Sequence, residues 1–265
     1  MQQLADMPRA SLRAMRGIFT DIDDTLSSDG RLSAEAYGAL AALKQAGLIV
    51  VPITGRPAGW CDHIARFWPV DAVVGENGAF YFWHDAKAGK LRQRFLQIPA
   101  EREEGRRKLA QLREKILREV PGAGIASDQP YRLADLAIDF REDVTPLDRR
   151  SIERIVALFE AAGATAKISS IHVNGWFGAY DKLGMTRTMM DELFKVDLDA
   201  DKEHFVFIGD SPNDAPMFGY FPNSVGVANV RDQAARIAPL PRWITTARAG
   251  AGFVELAQAL LTARR

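Results

Sequence analysis

The stretch Gly17-Ile-Phe-Thr-Asp-Ile-Asp-Asp-Thr25 decides the predicted fold. It opens with a short apolar run and ends in acidic residues, which is typical of a buried parallel strand whose carboxyl end opens into a site. The carboxylates of Asp21 and Asp23 are two positions apart, so extended backbone would place them on one side of the chain. The stretch therefore predicts a first strand with two acids at its end.

Predicted strands alternate with predicted helices on either side of this stretch. Residues 48–54 and 71–74 are apolar runs of strand length, and 204–209 is a later run that ends at Asp210. Apolar residues at helical spacing occupy the segments between these runs. The alternation predicts an α/β fold with a Rossmann-like doubly wound parallel sheet as its core.

Residues 84–181, called the insert below, follow a different pattern. Leu136, Ile138 and Phe140 alternate with Ala137 and Asp139, which is the period of a half-exposed antiparallel strand. We therefore expect an inserted α+β cap domain here. The predicted division is a loosely ordered N-terminal tail at 1–16, a catalytic core at 17–83 plus 182–265, and the cap at 84–181.

Composition and charge restrict the class of protein. Of the 265 residues, 47% are apolar and 26% are charged, which is ordinary for a globular chain. Lys plus Arg equals Asp plus Glu at 34 each, so no overall field favours nucleic acid or an acidic membrane surface. Cys61 is the lone cysteine, which fits a reducing, cytoplasmic location. The sequence has no signal-peptide or membrane-spanning pattern and indicates no oligomeric state.

Asp210 adds a third acid to the expected site. Open parallel sheets bind ligands beyond the carboxyl ends of their strands, where Asp21, Asp23 and Asp210 all stand. Three converging carboxylates repel one another unless a cation lies among them. Oxygen ligands without Cys or His favour Mg²⁺, so these residues predict a magnesium site.

These segments resemble the motifs of the haloacid dehalogenase (HAD) superfamily of phosphatases. Asp21-Ile-Asp-Asp-Thr25 matches the first motif, Asp-x-Asp-x-Thr, and Thr54 in Val51-Pro-Ile-Thr-Gly-Arg-Pro57 matches the second. Gly209-Asp-Ser-Pro-Asn-Asp214 matches the fourth, Gly-Asp-x-x-Asn-Asp. Motif order, spacing and strand placement agree, which makes the resemblance specific. It covers the two segments of the predicted core, 17–83 and 182–265.

Further residues resemble one branch of that superfamily. Gly75-Glu-Asn-Gly-Ala79 is similar to the Asn-Gly-Ala stretch of the type II, B-capped (Cof-like) branch, whose cap follows the third strand. The fourth motif and the segment from His172 to Asp181-Lys182 resemble mannosyl-3-phosphoglycerate phosphatases. The expected substrate is accordingly a small phosphorylated metabolite, in the sugar phosphate or phosphoglycerate glycoside class.

The resemblance also implies roles for individual residues. Asp21 would attack phosphorus and form an aspartyl phosphate, and Asp23 would act as general acid and then general base. Thr54 and Lys182 complete the implied catalytic set. The residues implied to bind substrate or phosphate are Thr54, Gly55, Arg56, Asn77, Lys182 and Asn213. The residues implied to hold Mg²⁺ are Asp21, Asp23 through its backbone carbonyl, Asp210 and Asp214.

Lys182 is the predicted lysine of the third motif, although Leu183 separates it from the glycine that usually follows directly. It is preferred because it stands where the chain returns from the insert to the core. Lys167 lies inside the insert, and Lys195 lies at the far end of a predicted helix. His172, surrounded by apolar residues, is interpreted as a packed structural histidine.

Two other functions share part of this pattern. A capped phosphomutase, such as phosphomannomutase, has the same architecture and would isomerise a sugar phosphate rather than release phosphate. A response-regulator receiver also arranges acids, Mg²⁺, Thr and Lys around a phosphorylated Asp. Receivers are about half this length and accept the phosphoryl group on a later strand, so the phosphatase prediction is preferred.

Overall fold

The computed structural model describes residues 1–265 and contains thirteen strands in three sheets. The strands are β1 (Gln2–Gln3), β2 (Gly17–Thr20), β3 (Ile49–Pro52), β4 (Val73–Gly75), β5 (Phe80–Asp85), β6 (Lys90–Phe95), β7 (Gly124–Ile125), β8 (Asp135–Asp139), β9 (Thr165–Ile168), β10 (His172–Trp176), β11 (Phe205–Gly209), β12 (Val225–Gly226) and β13 (Trp243–Ile244). The α-helices are α1 (Arg9–Ala14), α2 (Ala34–Gln45), α3 (Ala58–Phe67), α4 (Pro99–Glu119), α5 (Arg149–Ala161), α6 (Lys182–Met189), α7 (Leu198–Asp201), α8 (Ala215–Tyr220), α9 (Val230–Gln233) and α10 (Ala249–Ala263). None of these helices combines the length and apolar character needed to cross a membrane.

The largest sheet is parallel and has the order β1-β13-β12-β11-β2-β3. Successive residues of β2 point to opposite faces, so Ile18 packs in one apolar cluster and Phe19 in another. The first cluster includes residues of α2 and α10, and the second includes residues of α6 and α8. Helices cover both faces, which confirms the predicted doubly wound α/β fold.

The N-terminal residues differ from the prediction of a loosely ordered tail. Strand β1 pairs in parallel with β13, and the side chains of Leu4, Met7 and Leu12 are buried in the cluster that contains α10. These apolar residues are separated by polar ones, so the sequence shows no continuous apolar run although their side chains are buried.

Strands β4, β5 and β6 form a small antiparallel sheet beside the parallel one. A parallel bridge between Ile53 and Val74 joins it to the continuation of β3. The boundary predicted at residue 84 falls inside β5, and residues 86–89 form the turn of the β5–β6 hairpin. The insert is therefore connected through paired strands rather than through an unstructured segment.

The third sheet, with the order β7-β8-β10-β9, is antiparallel as predicted for this segment. Leu136 and Ile138 of β8 pack against α4 and α5 in one apolar cluster. The opposite face carries Asp135 and Asp139, and both are buried. Strand β8 is thus covered on both faces instead of half exposed, because its polar face lies against the site described next.

Candidate active site

Three acids converge at the carboxyl ends of two neighbouring strands. Asp21 follows β2 and Asp210 follows β11, which pair in register, and Asp214 lies one turn further on. Carboxylate oxygens of the three residues lie within 4.8 Å of one another, and all three side chains are buried. Parallel strands end at one edge of a sheet, so the fold itself brings these acids together.

Lys182 lies among these acids. Its Nζ is 2.7 Å from Oδ1 of Asp21 and 2.7 Å from Oδ1 of Asp214. Burial lowers the pKa of Lys182, but the two carboxylates outweigh this effect and raise it overall. By contrast, the side chains of Lys167 and Lys195 belong to exposed residues outside the site. The geometry supports the choice of Lys182 for the third motif.

Gly78 allows the chain to bring Lys182 into place. Its φ is +105°, and a Cβ at this position would lie 2.0 Å from the backbone oxygen of Asp181. Only glycine accommodates both the positive φ and such a close backbone approach. Asp181 then caps α6, because its Oδ1 accepts a hydrogen bond from the Gly184 N–H at 2.7 Å. Because Lys182 is the first residue of α6, the capped helix end fixes the position of its backbone.

The charges in this cluster fit a divalent cation. Three buried carboxylates and one ammonium leave two negative charges. Burial raises the pKa of Asp21 to about 8 against the opposing effect of Lys182, and burial beside Asp21 raises the pKa of Asp210 well above its usual range. Asp210 has no basic partner. A hard cation held by these oxygens would relieve both effects.

Thr25 and Asn229 hold the carboxylate of Asp210 in position. Thr25 Oγ1 donates a hydrogen bond to Asp210 Oδ1 at 3.0 Å, and Asn229 Nδ2 donates to Oδ2 at 3.3 Å. Neither residue is among the predicted site residues. Thr25 could have been found, because it closes the Asp-x-Asp-x-Thr motif, whereas no sequence signal identified Asn229.

Thr54, Gly55 and Asn77 lie together beyond β3 and β4, and Gly55 lines a cavity with Asp21. Thr54 is fully buried, and its Oγ1 accepts a hydrogen bond from the Arg56 N–H at 3.0 Å. Asn77 has φ 55°, and both polar atoms of its buried amide lack a hydrogen-bond partner. A Cβ on Gly55 would lie 3.1 Å from Asn77 Oδ1. An unpartnered buried amide is costly, so this one is suited to bind a ligand.

A small cavity of about 20 Å³ lies between Asp21 and Gly55 of the core and residues of the insert. Asp21, Asn213 and His172 are among the residues that line it. Asn213 Oδ1 accepts a hydrogen bond from Ser211 Oγ at 2.6 Å, so its amide is oriented by the chain. A second cavity of about 640 Å³ begins at Asp210 and extends between the insert and the core.

Arg56 differs from its predicted use as a phosphate ligand. Its guanidinium forms ion pairs with Asp23 at 2.8 Å, with Glu142 at 3.0 Å and with Asp128 at 3.3 Å. It also lies over the ring of Trp60, 4.3 Å from the centroid. Three carboxylates therefore already neutralise the charge of Arg56. The sequence could not show this arrangement because Asp128 and Glu142 belong to the insert.

The carboxylate of Asp23 consequently lies apart from the other three acids. Arg56 Nε is 3.0 Å from both oxygens of Asp23, so the guanidinium holds the carboxylate in one orientation. The predicted contribution of Asp23 to a metal was its backbone carbonyl. Its side chain lies outside that cluster, and Arg56 holds it in place.

Glu142 and His172 connect Arg56 to the third sheet. Nε2 of His172 is 2.9 Å from Oε2 of Glu142. Contact with His172, followed by the charge of Arg56, lowers the pKa of Glu142 to about 2 despite its partial burial. The loop that carries Glu142 is itself held by Asp139, whose carboxylate accepts hydrogen bonds from three successive backbone N–H groups at 2.8 Å.

A second arginine, Arg132 of the insert, also contacts the core. Its guanidinium pairs with Asp128 at 2.9 Å and Asp135 at 3.0 Å, and it donates to the backbone oxygen of Gly55 at 2.9 Å. Glu76 of the core accepts hydrogen bonds from the backbone N–H groups of residues 58 and 133–135. Burial, with a smaller contribution from Asp135, raises the pKa of Glu76 to about 8. We call the contact between the insert and the core the junction. This charged group forms its ionic side, and the members are Arg56, Glu76, Asp128, Arg132, Asp135 and Glu142.

Comparisons with known proteins agree with this fold. The sequence profile of the haloacid dehalogenase-like hydrolases matches residues 18–101 and 188–252. No protein of curated function has a matching sequence.

Three similar solved structures illustrate the shared fold. A HAD/COF-like hydrolase from Plasmodium vivax has 17% identity and a TM-score of 0.68, with 96% of this chain and 99% of that chain covered. A Thermoplasma acidophilum protein has 18% identity and a TM-score of 0.69, with coverage of 93% and 98%. The C-terminal domain of Candida albicans trehalose-6-phosphate phosphatase has 12% identity and a TM-score of 0.70, with coverage of 96% and 95%. The chain belongs to the haloacid dehalogenase-like hydrolases.

Proposed function

We propose that this chain is a Mg²⁺-dependent cytoplasmic phosphatase that hydrolyses a small phosphorylated metabolite of the sugar phosphate or phosphoglycerate glycoside class. The observation that carries the proposal is the buried cluster of Asp21, Asp210 and Asp214, in which Asp21 and Asp214 pair with the ammonium of Lys182. Membership of a hydrolase family supports it, as does the likeness to the fold of a trehalose-6-phosphate phosphatase.

Asp21 is the proposed nucleophile. One of its carboxylate oxygens would attack phosphorus, so that an aspartyl phosphate forms while the ester bond to the leaving group breaks. Lys182 lies 2.7 Å from Oδ1 of Asp21, close enough to attract a phosphoryl oxygen as well. This ammonium would offset the repulsion between an anionic nucleophile and an anionic substrate.

Asp23 would transfer the protons. It would donate one to the departing alkoxide and then accept one from the water that attacks the aspartyl phosphate. Arg56 fixes the carboxylate through contacts of 2.8 to 3.0 Å, so the proton is delivered from one position. The reaction then ends with free alcohol, inorganic phosphate and the original Asp21 carboxylate.

The acidic cluster would hold the cation. Asp21, Asp210, Asp214 and the backbone carbonyl of Asp23 are the proposed ligands, and Mg²⁺ would supply charge neutralisation for the phosphoryl transfer. Thr54, Gly55, Asn77 and Asn213 would bind the phosphoryl oxygens from the opposite side. The unpartnered amide of Asn77 supports this part of the proposal.

The insert is the proposed cap domain, and residues 17–83 with 182–265 are the proposed core. The polar face of the third sheet supports this division, because Asn174 and His172 of β10 line the cavity beside Asp21. A cap placed there would exclude water and contact the leaving group.

The test separates the two acids of the first motif with an aryl and an alkyl phosphate. Asp21→Asn should abolish phosphate release and leave no phosphorylated protein. Asp23→Asn should slow release from the alkyl ester by ~10²–10⁴-fold and accumulate aspartyl phosphate with the aryl ester, whose leaving group needs little protonation. Phosphate release and intact-protein mass spectrometry measure both outcomes.

Asp62→Asn, at an exposed ion pair on α3, is the matched control and should retain full activity. Full activity of the unmodified chain in excess chelator would contradict the cation requirement. Conversion of a sugar phosphate into its isomer, without free phosphate, would replace the phosphatase by a phosphomutase.

A further inference from the structure

The larger cavity adjoins the proposed reaction centre at Asp210. It has a volume of about 640 Å³, and its lining includes Asp210, which closes it on the side of the acidic cluster. Ser169 and Ser170, in the turn between β9 and β10, form part of its wall. A ligand whose phosphoryl group lies at Asp21 would extend its leaving group into this space. The volume is sufficient for a molecule of sugar size or larger.

The lining of this cavity is mainly polar. Phe140, Leu147 and Ile152 contribute apolar surface at one part of the wall, and most other lining residues are charged or carry amide or hydroxyl groups. An apolar leaving group such as an aromatic ring would leave these polar groups without partners, which is unfavourable. The leaving group that fits this cavity is therefore itself polar.

Three arginines line the cavity, and their surroundings differ. Arg248 is ion-paired with Asp232, so its charge is compensated within the chain. Arg141 also lines a neighbouring cavity of about 280 Å³ together with the carboxylates of Asp24 and Asp29. Arg236 has no carboxylate within 4.0 Å, and its one side-chain hydrogen bond is donated by Nη1 to Oε1 of Gln233 at 3.3 Å.

We propose that Arg236 determines specificity by binding a second anionic group, a carboxylate or a phosphate, on the leaving group of the substrate. This inference rests on the phosphatase function proposed above. Gln233 restrains the guanidinium from one edge, which leaves the other N–H groups available to the cavity. A guanidinium binds a carboxylate or phosphate through paired, charge-assisted hydrogen bonds, so an uncharged leaving group would lose this interaction.

The experiment compares three esters with the same carbon skeleton. They are a hexose 6-phosphate, the corresponding hexonic acid 6-phosphate and the hexose 1,6-bisphosphate. The unmodified protein should hydrolyse one of the two doubly anionic esters with a kcat/KM at least about tenfold above that for the hexose 6-phosphate, the lower limit expected for hydrogen bonds to a charged group. The ester that is preferred identifies the anion as carboxylate or phosphate.

Arg236→Gln should remove this preference without lowering kcat/KM for the hexose 6-phosphate. Arg236→Lys keeps the charge but loses the paired geometry, so it should retain part of the preference. Arg231→Gln, which changes an exposed arginine of α9 that does not line the cavity, is the matched control and should behave as the unmodified protein.

Three results would overturn the proposal. Equal hydrolysis of all three esters, with a ratio that Arg236→Gln leaves unchanged, would exclude the specificity role and leave the phosphatase function intact. Equal loss of activity on all esters in Arg236→Gln would show that the residue is structural. Failure of the folded, unmodified protein to hydrolyse any phosphate ester would remove the phosphatase function and this inference together.

Discussion

The two sides of the junction between insert and core are built on opposite principles. On the ionic side the charged groups are packed, with side-chain exposures of 1% for Arg132 and 0% for Asp135. On the other side a cavity of about 640 Å³ separates the same two parts of the chain, and its ion pair between Arg248 and Asp232 is exposed. The difference indicates that the ionic side holds the insert in place, while the other side leaves space that a ligand could occupy.

The physical basis of this difference is desolvation. A buried ion removed from water depends on its partners, and deleting one partner leaves an uncompensated charge. An exposed ion pair is solvated in either case and contributes little to stability. The comparison can therefore be tested by removing charges from each side in turn.

The largest effect is expected for Arg132→Met. The substitution leaves the buried carboxylate of Asp135 without its cation and leaves Asp128 with Arg56 alone, so the free energy of unfolding should fall by ~3–5 kcal/mol. Urea denaturation measures the change. Arg149→Met, at an exposed i,i+4 pair with Glu153, is the control and should not shift the midpoint. Equal midpoints for Arg132→Met and the unmodified protein would show that the ionic side does not hold the junction.

A smaller, pH-dependent effect is expected for Glu142→Gln. Contact with His172, and then Arg56, lowers the pKa of Glu142 to about 2 in the folded chain, below its ordinary value of 4.5. A carboxylate with a lowered folded pKa stabilises the fold above its unfolded pKa, and this stabilisation is lost as the pH falls towards the folded value. Because Glu142 is only partly buried, solvent screening reduces the contribution to about 1 kcal/mol.

Glu142→Gln should therefore be less stable than the unmodified protein at pH 7, and the difference should shrink between about pH 4.5 and pH 2. Denaturant unfolding at pH 7 and pH 3 measures both values. Glu153→Gln, an exposed acid in the same insert, provides the comparison. A difference that stays constant over this range would mean that Glu142 acts through shape rather than charge.

The smallest effect is expected for Arg248→Gln, on the side of the junction that carries the larger cavity. We call this the open side. Its ion pair with Asp232 is exposed, so removing the charge should leave the melting temperature unchanged. Differential scanning calorimetry at low and moderate salt would check this. A clear loss of stability at both salt concentrations would make the open side a structural contact like the other and remove the contrast between them.

Residues at the ends of the parallel strands were predictable from sequence. Asp21 and Asp210 each follow an apolar run, and parallel strands end at one edge, so local pattern and sheet geometry give the same answer. Lys182 was identified from its place at the return of the chain, and the contacts with Asp21 and Asp214 support that choice.

Residues that meet across the junction were not predictable. Arg56 is separated by 72 positions from Asp128 and by 86 from Glu142, and nothing in one sequence shows which of these segments come together. The same reason explains why neither Arg132 nor Arg236 was predicted to lie at the junction. Their surroundings depend on how the insert and the core pack, which a periodic pattern does not specify.

The cavity of about 20 Å³ beside Asp21 has a consequence for the timing of catalysis. A space of that size holds about one water molecule and no phosphoryl group. In the proposed reaction, the turn between β9 and β10, or the whole insert, would have to move before a phosphoryl group could lie at Asp21, and again before phosphate could leave. Each turnover would then include two movements besides the chemical steps. Faster chemistry alone would not raise kcat above the rate of the slower movement.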